Sequence, residues 1–282
     1  MFEFIAENEK NERVNLTDSD NYSIDRIEGL DPPDNTINMS KIPGFDGEQY
    51  NSSSANKRQI VIYVNLLPPV ESNRLNLYKI FKGKKKVKLY YKNNSLNVYI
   101  EGIVETINVN HFAKQQQLQI PILCPEPYFK NIEEMILNMS LIEPMFEFPF
   151  DITSEGQIFS EQSQLTEINV INLGTVDTGM TMVLKARGIV KNPKIYNRET
   201  AEYFGLNFEM QIGDVITVKT QRGSKSIKLM REGVEYNLFN YLMNGSTFLN
   251  LSVGDNLFVY EAEEGTIYLD ITYKHQDQFE GV

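Results

Sequence analysis

The feature that most restricts the fold of this chain is the rhythm of residues 168–273. Short runs in which apolar and polar residues alternate recur there, at 168–171, 180–185, 206–210, 215–219, 226–230, 248–251, 257–260 and 267–273. Turn signals separate them: Asn172-Leu173-Gly174, Asn192-Pro193, Gly213-Asp214, Arg222-Gly223, Glu232-Gly233, Asn244-Gly245, Gly254-Asp255-Asn256 and Glu264-Gly265. A period of two with β-branched and aromatic residues is the pattern of half-buried strands. Strands this short at such even spacing predict a β-sandwich. Only 236–242 has helical spacing, with Leu238 and Leu242 on one face.

The first half holds the sharpest local pattern. Ser72 can cap a helix over 72–83. Leu77, Ile80 and Phe81, with Tyr78 beside them, give that helix an apolar face. Lys79 and Lys82 suit its last turn, and Gly83 suits a left-handed exit. The period then changes to two: Val87 and Leu89 alternate with Lys86 and Lys88, and Asn93-Asn94-Ser95 turns the chain. The returning strand runs through Val98, Ile100, Val104 and Ile107, and Gly102 predicts a bulge in it. Leu118, Ile120 and Ile122 share a face, while Pro121, lacking an amide donor, predicts a sheet edge or bulge. Cys124-Pro125-Glu126-Pro127 ends the segment.

Upstream, 2–5 reads as a short strand, 7–20 as an exposed loop and 21–30 as a strand. Residues 42–54 carry Gly44, Gly47 and three serines, a long loop or projecting hairpin. The apolar run 60–64 predicts a strand buried on both faces. Ile132, Met135, Ile136 and Met139 fall at i, i+3, i+4, i+7, which predicts a short amphipathic helix between two domains. The prolines and aromatics of 143–150 mark the boundary. The expected fold is all-β with short helices: an N-terminal β-sandwich-type domain over 1–140 and a second sandwich over 141–282.

Composition narrows the function. The 282 residues are 41% apolar and carry a formal charge of −11. An acidic chain is a poor gripper of nucleic acid. Cys124 is the one cysteine, so no internal disulfide is possible. No apolar run reaches membrane-spanning length, and the acidic N-terminus, broken after five residues, is no secretory signal. His111 and His275 have no second ligand at metal spacing, so a zinc site is not expected, and both read as packing or surface residues. Cys124 among apolar neighbours reads as a buried small hydrophobe rather than a nucleophile. No phosphate-binding glycine motif is present. Glu133-Glu134 and Glu261, Glu263 and Glu264 read as solvated carboxylates. Lys82, Lys84, Lys85, Lys86 and Lys88 form the one basic block, which reads as a solvated strand face with lysines guarding an edge, the alternative being a contact with a phosphate or an acidic partner face. No catalytic residue, cofactor or metal is assigned.

Across both halves the ordered residues resemble the distal tail protein family of long-tailed phages. Those in the first half are Leu77-Tyr78, 99–105 (YIEGIVE), His111-Phe112 and 122–129 (ILCPEPYF). Looser matches are Gly29-Leu30, Gly44, Gly47, Arg58 and 60–62. In the second half they are Gly213-Asp214, Gly223, Lys225-Ser226, Arg231, Gly233, Tyr236-Asn237, Gly245-Ser246, Leu251 and Gly254-Asp255-Asn256. Ile103 departs from the pattern, where a Tyr is common. The resemblance implies a first domain that forms a hexameric ring at the end of the tail tube and a second, galectin-like domain pointing outward. It implies as partners the tail-tube protein, the tail-associated hub or lysin or the tape-measure protein, and receptor-binding proteins. DNA would pass through the ring without specific binding, and no membrane partner is implied. The chain would sit at the virion tail tip after assembly in the bacterial cytoplasm.

The projecting character of three elements makes Ser72, Leu77, Tyr78 and Phe81 on the helix, Gly44 and Phe45 in the 42–54 segment, and Asn93 and Asn94 at the hairpin turn the candidate contacts between copies or with partners. The alternative within the same setting is a tail-tip carbohydrate-binding adhesin. The chain has no tryptophan on which a sugar could stack.

Overall fold

The computed structural model describes residues 2–17, 20–44, 46–144, 160–164 and 167–282, with the side chains of 140–144 and 160–164 outside that description. Two compact units form. Met1–Ile132 and Gln278–Val282 make the first, and Glu133–Asp277 the second.

In the first unit the alternating segments become β1 (Glu3–Asn8), β2 (Arg13–Asn15), β3 (Tyr22–Glu28), β4 (Asn35–Lys41), β5 (Glu48–Ala55), β6 (Arg58–Leu66), β7 (Lys86–Lys92), β8 (Asn97–Val104), β9 (Asn108–Val109), β10 (Gln117–Cys124) and β11 (Phe129–Asn131). One sheet runs in the order β2-β1-β7-β8-β10-β6-β3. Its inward residues, among them Phe4, Ile60, Ile62, Val64, Leu89, Ile100, Leu118, Ile120 and Ile122, are buried in a single core. Each such side chain taken fully out of water contributes roughly 1.5–3 kcal/mol. Helix α1 (Val70–Ile80) touches β1 and β2 near one end of that order and β6 near the other. One sheet and one helix surround this core. The last residues return here, with Gln278–Phe279 pairing β11.

The helix starts and ends differently from its expected 72–83. Pro69 stands at its N-cap without a side-chain bond, and Ser72 lies inside the first turn. Asn73 does the fastening instead, its Nδ2 donating to the carbonyls of Leu67 at 2.9 Å and Asn21 at 3.3 Å. The left-handed residue after the helix is Lys84, φ 66°, not Gly83.

Two further expectations change within β8 and β10. Gly102 pairs Val87 in unbroken register, so no bulge is present. The space explains the glycine: a Cβ there would lie 2.5 Å from Ile122 Cγ2 and 2.9 Å from Cys124 Sγ. Pro121 is interior to β10, opposite Val61 of β6. Its carbonyl accepts from the Glu105 amide at 3.0 Å, on the side away from β6. A strand residue points its N–H and C=O the same way, so the missing donor falls where β9 has ended and β8 has not begun to pair. In β6 the alternation is real, with Val61 and Tyr63 only half-buried, so the run is not covered equally on both faces.

The second unit is a sandwich. One sheet orders Met135–Asn138, Leu269–His275, Thr181–Ala186, Val215–Lys219, Ser226–Arg231 and Val234–Asn237; the other orders Glu167–Asn169, Leu257–Glu261, Lys194–Asn197 and Tyr203–Gly205. Met182, Leu184, Ile216, Val218, Ile227, Leu229 and Ile271 from the first sheet meet Ile195, Phe204, Phe258 and Tyr260 from the second. Phe258 stacks on Tyr273 at 5.3 Å. The expected helix around 132–139 is instead the strand Met135–Asn138, held by pairing with Leu269–His275. Helical spacing was present, but long-range pairing decided. Likewise 236–242 divides between the strand Val234–Asn237 and one 3-10 turn, Phe239–Tyr241.

Candidate functional site

The chemistry-bearing residues are placed structurally. Cys124 is fully buried, and burial pushes its thiol up to about 12 against the opposing pull of Arg58, so it is no nucleophile near neutral pH. His111 lies in the loop before β10, its Nδ1 3.4 Å from Arg74 Nη1. His275 is buried rather than on the surface. Its Nε2 is 3.2 Å from the Ile171 carbonyl and 3.4 Å from Asp277 Oδ1. Among the described residues no group of three His, Cys, Asp or Glu is placed to hold a metal ion. Glu263 and Glu264 pair Lys191 at 3.5 and 3.6 Å.

The lysine block does not guard an edge. β7 lies inside the sheet between β1 and β8, and nearby carboxylates partner its cations: Glu9 with Lys85 at 3.3 Å, Glu101 with Lys88 at 3.3 Å. Lys88 also stands 4.6 Å over the Tyr99 ring. Two of the five lysines are thus compensated by neighbouring carboxylates.

The candidate contact residues separate into two groups. Leu77 and Phe81 are fully buried and Tyr78 packs against the same core, so these side chains hold α1 down rather than face a partner. Ser72 is exposed on the helix. Asn93 organises its own turn, its Oδ1 accepting from the amides of Ser95 at 2.8 Å and Leu96 at 2.7 Å; Asn94 is exposed beside it. Gly44 is exposed at φ 85° between β4 and β5. Phe45 lies outside the described residues.

An extended exposed feature is the β4–β5 ribbon, which contains most of the 42–54 segment that the sequence presents as a long loop or projecting hairpin. Every residue of β4 and all but the last of β5 are exposed. The two faces differ. On one, Thr36 Oγ1 donates to Asn56 Oδ1 at 2.7 Å, Asn38 Nδ2 to Ser52 Oγ at 3.1 Å and Ser40 Oγ to Asn51 Oδ1 at 3.2 Å. On the other stand Ile37, Met39 and, opposite Met39, Tyr50, each more than half exposed. A two-stranded ribbon alone is marginally stable, and an apolar face left in water marks an interaction surface. These residues were missed from sequence, although the alternation T-I-N-M-S over 36–40 carries the signal.

A second exposed feature is Phe112, whose side chain is 101% exposed at the tip of the loop between β9 and β10. Leu75 of α1, half exposed, belongs to the helix that this loop touches through Arg74 and His111.

Three motif residues of the second unit, Asp214, Arg231 and Asn256, make structural bonds. Arg231 Nε donates to Asp214 Oδ1 at 2.8 Å and Nη2 to Oδ2 at 2.5 Å, so Gly213-Asp214 and Arg231 form one fork-to-fork clamp across adjacent strands. Asn256, fully buried, receives the Ser252 amide on Oδ1 at 2.9 Å and closes its own loop.

Comparison with known proteins agrees with this geometry. Residues 10–124 match the family model of the phage tail protein RIFT-related domain, and residues 173–276 that of the siphovirus-type tail component, C-terminal domain. The solved structure of the Dit protein of phage SPP1, described as a paradigm of the hub adsorption apparatus of phages infecting Gram-positive hosts, superposes with a TM-score of 0.67. That match has 10% identity and covers 98% of this chain and 99% of the other. A chain of the phage p2 baseplate in its activated conformation with Ca matches at TM-score 0.51 and 12% identity, covering all of both chains. At these identities the likeness is one of fold. No curated protein sequence matches significantly. With one tail-protein domain model matching each half and a fold shared over nearly the whole length, the chain belongs to the siphophage distal tail protein family, structural components of the phage tail.

Proposed function

We propose that six copies of this chain close into a ring that joins the tail tube to the tail tip and anchors host-recognition proteins, with no catalytic step of its own. The observation that carries the reading is the β4–β5 ribbon. It projects Ile37, Met39 and Tyr50 into water on one face and ties its other face together with side-chain hydrogen bonds. Such a ribbon is stable when its apolar face lies on something else, and in a ring the neighbouring copy supplies that surface. Identical heterologous contacts then enclose an opening on the ring axis.

The first unit would supply the ring, on one side the tube protein and on the other the hub, lysin or tape-measure protein. The galectin-like second unit would carry receptor-binding proteins outward. The net charge of −11 supports an acidic lumen that does not retain passing DNA. Assembly would take place in the bacterial cytoplasm. Negative-stain electron microscopy of the purified chain should show six-fold rings with a central opening. Rings of another symmetry, or particles without an opening, would overturn the reading.

A further inference from the structure

Resting on the ring reading above, we propose that Met39 is an oxidation site on the β4–β5 ribbon, and that conversion of its thioether to the sulfoxide by a hydroperoxide keeps copies of this chain apart. Met39 is 53% exposed, against 42% for Met230 and 38% for Met135. Met243 is half-buried, and Met139, Met180, Met182 and Met210 are buried in the core of the second unit. Among the described methionines, Met39 is therefore the one most open to an oxidant in solution. The thiol does not compete, because Cys124 is fully buried and burial keeps it protonated near neutral pH.

The place of Met39 gives the reaction its consequence. Tyr50 stands directly opposite it on β5, and Ile37 precedes it by two residues on β4, so the thioether joins the two into one apolar patch. The side-chain hydrogen bonds of the other face come from Thr36, Asn38 and Ser40 and leave Met39 out. Met39 belongs to neither hydrophobic core. Its chemistry can change without cost to the fold of its own chain. Oxidation turns a flexible apolar side chain into a polar, chiral one. A neighbouring copy seated on the patch would then bury a sulfoxide oxygen with no donor to match it, which opposes association.

A lone pair of Met39 Sδ attacks the terminal oxygen of the hydroperoxide. The S–O bond forms as the O–O bond breaks, and the other oxygen leaves with the proton as an alcohol, or as water when the oxidant is hydrogen peroxide. The sulfur is oxidised by two electrons and the peroxide reduced by two.

The test uses the full chain and hydrogen peroxide. Peptide mass mapping should find Met39 oxidised ahead of Met135 and Met230 in dilute, unassociated chain. In concentrated, associated chain Met39 should react several-fold more slowly, because a neighbour covers it. Light scattering should show association of the oxidised chain weakened by about tenfold or more, with the thermal midpoint unmoved. Met39→Leu keeps the volume and removes the sulfur, so it should associate as the wild type does and go on doing so after the same treatment. Methionine sulfoxide reductase with dithiothreitol should restore association of the oxidised wild type, with no substitution at all. Peroxide that disperses Met39→Leu as fully as wild type would overturn the proposal and leave the ring standing. So would wild-type chain that associates normally with Met39 oxidised, or Met39 that reacts equally fast in free and associated chain, or Met39 left intact while Met135 and Met230 react. An untreated chain that stays single at every concentration would overturn the ring reading before any oxidant is added, and the proposal with it.

Discussion

Arg58 Nη2 donates to the backbone carbonyl of Glu280, 222 residues further along the chain. The same guanidinium donates to the carbonyls of Pro127 at 2.6 Å, Gly29 at 2.5 Å and Asp31 at 2.6 Å, and lies 4.8 Å over the Phe129 ring. It is a buried cation satisfied by backbone oxygens, and burial draws its pKa below the ordinary arginine value. Three segments of the first unit, the returning C-terminus among them, meet on this one side chain.

Arg58→Met should therefore cost on the order of 3–5 kcal/mol, because several buried carbonyls lose their donor together. Urea unfolding of the full chain measures the loss. Hydrogen exchange should speed up first at residues 278–282. Unchanged protection there would contradict the role of Arg58 as the tie of the C-terminus.

The Asp214–Arg231 clamp predicts a pH dependence. Burial pushes the Asp214 carboxyl up, but the Arg231 hydrogen bonds and the Gln211 amide outweigh it, so its pKa lies below the ordinary value. A depressed carboxylate pKa adds stability above the unfolded value near 3.9, and that contribution is lost as pH falls through the folded value. Asp214→Asn should lower stability by about 2 kcal/mol at pH 7. The gap between wild type and variant should shrink on acidification below about pH 4. Thermal midpoints across a pH series check this, and a gap that widens in acid would sink it.

Gly102→Ala places a methyl group against Ile122 and Cys124 in the centre of the first unit. Overpacking there should cost about 1–3 kcal/mol. Denaturant midpoints report it, and a neutral result would mean that β8 can shift away from β10 without penalty.

On the β4–β5 ribbon, Ile37→Ser combined with Met39→Ser removes apolar surface that no part of the same unit covers. The thermal midpoint should stay put, each change falling within about 0.5 kcal/mol. The ring should be lost in light scattering. A ring that survives the double change would take the ribbon out of the interface.

How far the sequence could be read depends on where the information sat. Strands were legible wherever alternation was local: β7, β8 and β10, and the sandwich strands with their glycine turns. What was not legible came from partners distant in the chain. Met135 and Ile136 satisfy a helical spacing, yet pairing with Lys274 and His275 makes them strand. His275 looked polar beside Lys274 and Gln276, but the alternation of Leu269, Ile271, Tyr273 and His275 puts all four inward. An apolar helix face does not announce which surface it covers, so the sequence offers Leu77 and Phe81 as outward contacts although both are buried in their own core. Arg58 had no visible partner because its partners are main-chain carbonyls, which every residue type offers.

The central claim is a closed ring, and the absolute mass of the full chain in solution tests it most directly. Light scattering across a concentration series should give six times the 32.5 kDa of one chain, unchanged on moderate dilution. A single-chain mass at every concentration, or a stable assembly of any other number of copies, would contradict the account.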